Sequence, residues 1–421
     1  MEYKVIVSAG LCALVGAAFF CGCEKVETVN PLPPRQEAPD VIALEDVARV
    51  FAGLPVGPEQ VGEVHDAAVS SAGNGYDEEY RMQDLFREPG AGVGDAAGTK
   101  AGRYARPLRD LLREALATKA GETGLSEAWL DSLAASDVQL YWPFSEAWDG
   151  RSLPVVTFDP GDFASSNVGY VCTPGGKPEK VMVDEQMARE RPVWVVNRNS
   201  DAEYKSLELR RREDPSWGTG GGDVIVRPSP SCPAPTGHLA PTGHPSPSCP
   251  APTGHPSPSA VPDAEMKTLI LRTFKSNRQY DSWFAGASEF FVKIGSLEDF
   301  TAATDAELRL YQPTITDFMI VVRRGQVGEE IPFNAVLVSE WTGQLSSCAF
   351  MVVEDDGGTR TSWKCNAMVK ISSKSYGFEL EIPLYSRDDI VWRGSLTRNY
   401  IERYSGTVGH FGDVDMVLEL I

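Results

Sequence analysis

The chain has 421 residues, of which 42% are hydrophobic, and it carries a formal net charge of −20 at pH 7. This length is sufficient for two domains. Its longest basic run is Arg210-Arg211-Arg212, whereas binding to a nucleic-acid backbone needs several converging Lys and Arg side chains. The composition therefore predicts an acidic globular protein and excludes nucleic acid as a partner.

The first residues have the pattern of an export signal. An apolar run, Val5–Phe20, follows Lys4 and is shorter than the roughly 20 residues of a transmembrane helix. It leads into Cys21-Gly22-Cys23. This arrangement resembles the signals of bacterial lipoproteins, which are cleaved just before a cysteine that carries a diacylglycerol. The resemblance implies that cleavage follows Gly22 and that Cys23 is lipidated.

The resemblance also predicts where the protein is located. Residues 1–22 would be the signal peptide, and residues 23–40, which contain four prolines, would be an extended tether. Because two or more acyl chains anchor a protein stably, we expect a palmitate-bearing membrane lipoprotein of the cell envelope, in the outer membrane. The alternative is cleavage after Gly16-Ala17-Ala18 without lipidation, which would give a soluble secreted protein.

Residues 41–214 are predicted to form an α+β domain. The front part shows helical periodicity and helix boundary residues, which predict helices at Glu78–Arg87, Pro107–Ala120 and Ser126–Ala135. The hydrophobic period then changes to two, which predicts strands at Val138–Phe144, Leu153–Phe158, Val168–Thr173, Lys180–Asp184 and Val193–Asn197. Helices followed by a small antiparallel sheet are typical of the α+β class.

A proline-rich linker is predicted over residues 215–262. The ten residues Ser229–His238 recur letter for letter at Ser246–His255, and 12 of the 35 residues from Pro228 to Pro262 are proline. Such a segment cannot bury a core, and we expect it to form an extended spacer. It would separate the first domain from a second one.

The second domain, residues 263–421, is predicted to be an all-β sandwich. Short apolar segments recur at regular spacing between turn residues. They predict strands at Met266–Phe274, Glu289–Ile294, Ile315–Arg323, Pro332–Trp341, Ser347–Glu354, Thr361–Ile371, Phe378–Leu384, Ile390–Thr397 and Val414–Leu420.

One hairpin of this domain predicts a disulfide. Asp356-Gly357 is a strong two-residue turn signal, and a hairpin centred there would place Cys348 opposite Cys365. The pair would be a non-hydrogen-bonded one, with Cα atoms about 4.5 Å apart, which is within disulfide reach. The alternative is two free thiols packed beside Phe350 and Trp363.

The densest patch of aromatic and acidic residues is Tyr141–Phe158. Aromatic rings beside carboxylates are typical of sugar sites, where the rings stack on the sugar and the carboxylates bind hydroxyls or transfer protons. Trp148 is the ring that we expect to be exposed for ligand binding. Glu146, Asp149 and Asp159 are the candidate catalytic residues of an alternative, hydrolytic function.

Two segments of the second domain resemble C2-type β-sandwiches. Lys267–Gly295 is similar to their opening strand, acidic loop and second strand, and Ser386–Ile390 is similar to their later acidic loop. Loop aspartates bind calcium in that family, so the resemblance implies Asp281, Asp388 and Asp389 as calcium ligands. Our expectation is that these are polar turn residues and that the protein has no cofactor; calcium binding is the alternative that the resemblance implies.

As a whole, the chain resembles the large surface lipoproteins of gut-dwelling Gram-negative anaerobes, through strings such as Tyr141–Glu146 and Asp388–Gly394. This resemblance implies an envelope location and brings no activity with it. We therefore expect a non-enzymatic protein for binding or surface organisation, with a glycan or a protein as ligand. The alternative function is a carboxylate-dependent hydrolase that acts on an extracellular polymer such as a glycan.

Overall fold

The structure is a computed structural model that describes residues 42–87, 104–119, 126–161, 164–172, 178–199, 204–206, 208–209, 212 and 266–421. The chain divides into two units, Met1–Val41 and Ile42–Ile421. The predicted signal peptide, Cys23, the tether and the proline-rich repeat lie outside the described residues. All of the structural observations below belong to the second unit.

The first part of this unit begins with helices, as expected. They are α1 (Leu44–Ala52), α2 (Pro58–Gly73), α3 (Met82–Leu85), α4 (Leu108–Lys119) and α5 (Glu127–Ala134). The predictions that correspond to α4 and α5 are confirmed, and the side chain of Ser126 caps α5 by accepting a hydrogen bond from the Trp129 N–H.

The predicted helix Glu78–Arg87 is wrong in its first half. Residues Glu79–Arg81 form a short strand, β1, and only α3 is helical. The reason is tertiary, because Tyr80 lies opposite Leu140 in an antiparallel ladder. Ladder hydrogen bonds therefore replace those of a helix at this point.

A six-stranded sheet follows the helices. Its further strands are β2 (Val138–Tyr141), β3 (Val155–Phe158), β4 (Ser166–Val171), β5 (Glu179–Asp184) and β6 (Val193–Arg198), with α6 (Glu185–Glu190) between the last two. The strand order is β1-β2-β6-β3-β4-β5. All neighbours are antiparallel except β3 and β6, which are parallel. Apolar side chains of the helices pack on this sheet around Trp142 and Trp194.

The second part of the unit is a β-sandwich, so the predicted fold class is confirmed. Its elements are β7 (Lys267–Ser276), β8 (Ser288–Ser296), β9 (Thr314–Val322), β10 (Ile331–Trp341), β11 (Leu345–Glu354), β12 (Arg360–Ile371), β13 (Lys374–Tyr385), β14 (Asp389–Thr397), α7 (Arg398–Tyr404), β15 (Thr407–Phe411) and β16 (Val414–Leu420). One sheet has the order β10-β7-β16-β15. The other has the order β13-β12-β11-β8-β9, with β14 beside β11.

The centre of the second sheet is buried on both faces. Every residue of β8 is buried, and Gly295 lies so close to β13 that a Cβ atom there would overlap Leu380. The buried positions include a charged pair, Lys293 and Asp317, which lie opposite each other on β8 and β9.

The register predicted for the Asp356-Gly357 hairpin is wrong. Cys348 lies opposite Leu396 of β14, and Cys365 lies opposite Leu380 of β13. Near the turn, β8 and β14 occupy the two edges of β11, so β12 pairs with β11 only at the far end of that strand. Both thiols are free in this structure, and the predicted disulfide is not formed.

Candidate functional site

Three acidic side chains meet at one end of the sandwich. Asp281 lies in the loop between β7 and β8, Glu289 lies at the start of β8, and Glu354 is the last residue of β11. One carboxylate oxygen from each of them lies within 4.8 Å of the other two. The pairing of β8 with β11, which places Phe290 opposite Glu354, brings these distant parts of the chain together. We call these three residues the acidic cluster.

The central residue of the acidic cluster is Glu354, whose exposed fraction is 0%. Neither of its carboxylate oxygens has a hydrogen-bond partner in the part of the chain that the structure describes, and the same holds for Oδ2 of Asp281. A buried acceptor without a partner costs about 1–3 kcal/mol, and more when it is charged. The site therefore favours a group that brings positive charge or a proton.

The pKa values in the cluster follow from the same burial. Burial, and then the nearby carboxyl group of Asp281, raise the pKa of Glu354 to about 11. Burial also raises the pKa of Asp281 to about 6. Adjacent buried carboxylates repel each other, so the cluster needs either a shared proton or a bound cation to stay together at neutral pH.

Further acidic residues surround the acidic cluster. Asp389 lies opposite Glu354 in the ladder between β14 and β11, and it raises the pKa of Asp356, although burial is the larger cause. Burial also raises the pKa of Asp388 to about 6, and the neighbouring Asp355 adds to the effect. The outer surface of the site is therefore strongly acidic.

A basic residue, Arg324, contacts the acidic cluster from one side. Its Nη2 donates a hydrogen bond to the backbone oxygen of Asp281 at 2.7 Å, and its Nη1 lies 3.8 Å from Oε2 of Glu185 on α6. Arg324 therefore links the loop that carries Asp281 to the first part of the unit.

The acidic cluster shares one residue with the predicted calcium ligands. Of the three predicted calcium ligands, Asp281 belongs to the acidic cluster, whereas Asp388 and Asp389 lie beside it. The prediction missed Glu354 and Glu289 as ligands. A usable signal was that Glu354 directly follows the apolar run Cys348–Val353, since such a continuous run indicates a strand that is buried on both faces.

The three predicted catalytic carboxylates have separate local partners. Asp149 accepts hydrogen bonds from Ser152 and from the Arg151 N–H, and the Ser152 N–H contributes most to lowering the pKa of Asp149 to about 2. Asp159 accepts a hydrogen bond from the Gly161 N–H at 2.9 Å. Glu146 is exposed and lies next to Glu78. Within the described ranges, no contact joins two of these three carboxylates.

Trp148 is half-buried instead of exposed. Its Nε1 donates a hydrogen bond to the backbone oxygen of Ser152 at 3.1 Å. Its ring centroid lies 5.2 Å from that of His65 and 5.6 Å from that of Trp142. The ring therefore packs at the edge of the first hydrophobic core, which corrects the expectation of an open platform for a sugar.

Comparison with known proteins gave no relative. No protein-family model matches the chain, and no curated protein or solved structure matches it significantly. Among the residues that the structure describes, no helix is long and apolar enough to cross a membrane.

Proposed function

We propose that this chain is an exported, lipid-anchored protein of the cell envelope that acts by binding, and that its β-sandwich binds a divalent cation of the calcium type. The observation that carries the cation proposal is Glu354, which is fully buried without a hydrogen-bond partner within the described ranges and faces Asp281 and Glu289. The N-terminal lipoprotein pattern supports the location.

The donor set supports a hard cation. Asp281, Glu289 and Glu354 bring three carboxylate oxygens within 4.8 Å of one another, and water would supply the remaining ligands of the roughly six to eight oxygens that calcium takes. Carboxylate sites suit calcium, magnesium and manganese rather than metals that prefer sulfur or imidazole. Calcium sites of extracellular modules have dissociation constants of about 0.1–1 mM, and we expect this range here.

Binding rather than hydrolysis is supported by the local partners of the predicted catalytic residues. Glycoside hydrolysis needs two carboxyl groups that face one bond at a distance of about 5–10 Å. Asp149 and Asp159 are each held within their own turn. This separation favours binding over hydrolysis as the function.

Replacing Cys23 by alanine is expected to release the protein from the membrane into the aqueous fraction, because the chain would lose its acyl anchor. Cell fractionation followed by immunoblotting measures the distribution. Cys21→Ala is the matched control, since it changes a cysteine two positions earlier and should leave the protein in the membrane fraction. Retention of the Cys23→Ala protein in the membrane would contradict the lipid anchor.

Adding calcium at about 100 times its dissociation constant should stabilise the mature chain by about 2.7 kcal/mol, which corresponds to a rise in Tm of about 2–4 °C. Glu354→Gln should abolish both this rise and the heat of binding in calorimetry, because it replaces a carboxylate ligand of the cation by a neutral amide. Glu379→Gln is the control, since Glu379 is an exposed residue of the same sandwich. If calcium gave the wild-type chain neither heat nor a shift in Tm, the proposed cation site would be refuted.

A further inference from the structure

The loop between β7 and β8, residues 277–287, has two roles in this structure. Its first half carries Asp281 of the acidic cluster, and its second half contacts the sheet of the first part of the unit. Only two residues separate the cluster ligand from Phe284, which is 0% exposed. We call residues 277–287 the docking loop.

The contacts of the docking loop with the first sheet are both apolar and polar. Trp283 and Phe284 form a buried cluster with Tyr141, Val155, Val183, Ala188, Val193 and Val195. Nδ2 of Asn197 on β6 donates hydrogen bonds to the backbone oxygens of Phe284, at 3.1 Å, and Ala285, at 2.5 Å. Trp283 Nε1 donates to the backbone oxygen of Ser165 at 3.1 Å.

The last residues of the docking loop also form a hydrogen bond with the first part of the unit. Oδ2 of Asp77 accepts a buried hydrogen bond from the Ala287 N–H at 2.9 Å. Gly286 precedes this contact with a φ of 140°, and a Cβ atom there would lie 2.8 Å from Oδ2 of Asp77. The docked conformation therefore requires a close approach of the Asp77 side chain to the backbone of Gly286 and Ala287.

The first half of the docking loop contacts the sandwich and contributes Asp281 to the acidic cluster. The N–H of Tyr280 donates to Ser288 Oγ at 2.9 Å, and Arg324 holds the backbone oxygen of Asp281. The Asp281 carboxylate, however, faces Glu354 and Glu289. Asp281 and Glu354 stay together only while a proton or a cation neutralises them, so the group that occupies the cluster also fixes this half of the docking loop.

We propose that occupancy of the cation site controls how firmly the docking loop attaches the sandwich to the first sheet. This inference rests on the proposed function, because it requires the acidic cluster to bind a cation. A bound cation would hold Asp281 against Glu354 and Glu289, and the loop would stay in the geometry that inserts Trp283 and Phe284 into the first sheet. Cation binding and docking would then be energetically coupled.

The first test is hydrogen exchange of the mature chain in 10 mM calcium chloride or in a chelator. Calcium should slow the exchange of docking-loop and β6 amides by about tenfold, which is typical of coupled sites. The paired far ends of β12 and β13, residues 366–371 and 374–379, are the internal control. Within the described ranges no hydrogen bond or ring contact joins them to the docking loop, and their exchange should not change.

The second test uses the reciprocity of coupled equilibria. Asn197→Ala removes two hydrogen bonds to the docking loop without touching the acidic cluster, and it should weaken calcium binding in calorimetry by about fivefold to tenfold. Asn167→Ala is the matched control, because it removes an amide-to-carbonyl hydrogen bond to Phe158 in the same sheet. This control should leave the calcium affinity unchanged.

The outcomes separate the two proposals. Normal calcium binding with unchanged loop exchange and an unchanged affinity of Asn197→Ala would overturn the coupling and leave the cation site intact. An absence of calcium binding to the wild-type chain would overturn the cation site, and the coupling with it. If Asn197→Ala fails to fold by circular dichroism, hydrogen exchange of the wild-type chain decides alone.

Discussion

Replacing Asp317 by asparagine is expected to lower the free energy of unfolding by about 3–5 kcal/mol, the usual cost of removing one partner of a buried ion pair. Nζ of Lys293 lies 3.4 Å from Oδ2 of Asp317, and the two side chains are only 1% and 2% exposed. Nζ also donates a hydrogen bond to the backbone oxygen of Pro383 at 2.8 Å. Without the carboxylate, the ammonium group would lose the negative charge of Asp317 while its hydrogen bond to Pro383 remained.

Two matched variants separate this effect from a loss of packing. The double variant Lys293→Met/Asp317→Leu removes both charges. Its free energy of unfolding should be within about 1 kcal/mol of the wild-type value, because apolar replacements of buried ion pairs are often neutral or stabilising. Lys364→Ala breaks the ion pair between Lys364 and Glu381, whose side chains are 84% and 56% exposed. It should lower the free energy of unfolding by less than about 1 kcal/mol.

Urea unfolding followed by circular dichroism measures all of these variants under the same conditions. The expected order of destabilisation is Asp317→Asn first, then Lys364→Ala, with the double variant near zero. If Asp317→Asn lowers the free energy of unfolding by no more than Lys364→Ala does, the pair of Lys293 and Asp317 does not lie in the low-dielectric environment that its low exposure indicates.

The sandwich was the most predictable part of the fold. All nine predicted strands form within a few residues of the predicted bounds, because each strand alternates or is continuously apolar between clear turn residues. The strand that the prediction missed, β15, is only five residues long and contains Gly409 and His410. It forms a strand because it pairs with β16, although its own sequence does not show a strand pattern.

Registers and neighbours were less predictable than strands. The Asp356-Gly357 turn suggested that the strands on its two sides pair with each other. In the structure, however, β8 and β14 come from distant parts of the chain and occupy the edges of β11. Competition between local and distant partners is decided by packing of the whole sheet, for which a turn motif contains no information.

The acidic cluster also depends on a strand pairing that could not be predicted from the sequence. Asp281 was named as a ligand only through the resemblance of its loop to the acidic loops of C2-type sandwiches. Glu354 and Glu289 lie in predicted strands, and the predictions took them as parts of the sheet. Their approach to Asp281 depends on the pairing of β8 with β11, which no local pattern could reveal.

Glu78 is a second buried acid that the sequence did not reveal, since it lies at the start of the wrongly predicted helix. It is 5% exposed, and it accepts hydrogen bonds from the N–H and Oγ of Ser145 at 3.1 and 3.0 Å. Burial, followed by the charges of Asp77 and Glu146, raises its pKa from 4.5 to about 9. At neutral pH the folded protein therefore holds a proton at this site.

This proton makes stability depend on pH with a definite sign. Between pH 4.5 and about 9, folded Glu78 is protonated while the unfolded chain has released that proton. The stabilisation is fully present below pH 4.5 and is lost as the pH rises toward about 9. Glu78→Gln imitates the protonated form and should remove this part of the pH dependence.

The measurement is the free energy of unfolding in urea from pH 5 to pH 9, in a chelator, for the wild type and for Glu78→Gln. The two curves should nearly coincide at pH 5, and the variant should be more stable at pH 8 by about 2 kcal/mol or more, since each unit of pKa shift corresponds to about 1.4 kcal/mol. Glu179→Gln, which changes an exposed residue of β5, should keep the wild-type slope. Parallel curves for Glu78→Gln and the wild type would contradict the prediction, because they would mean that Glu78 is ionised in the folded protein. The expected difference in slope arises only if the folded protein binds a proton that the unfolded chain releases.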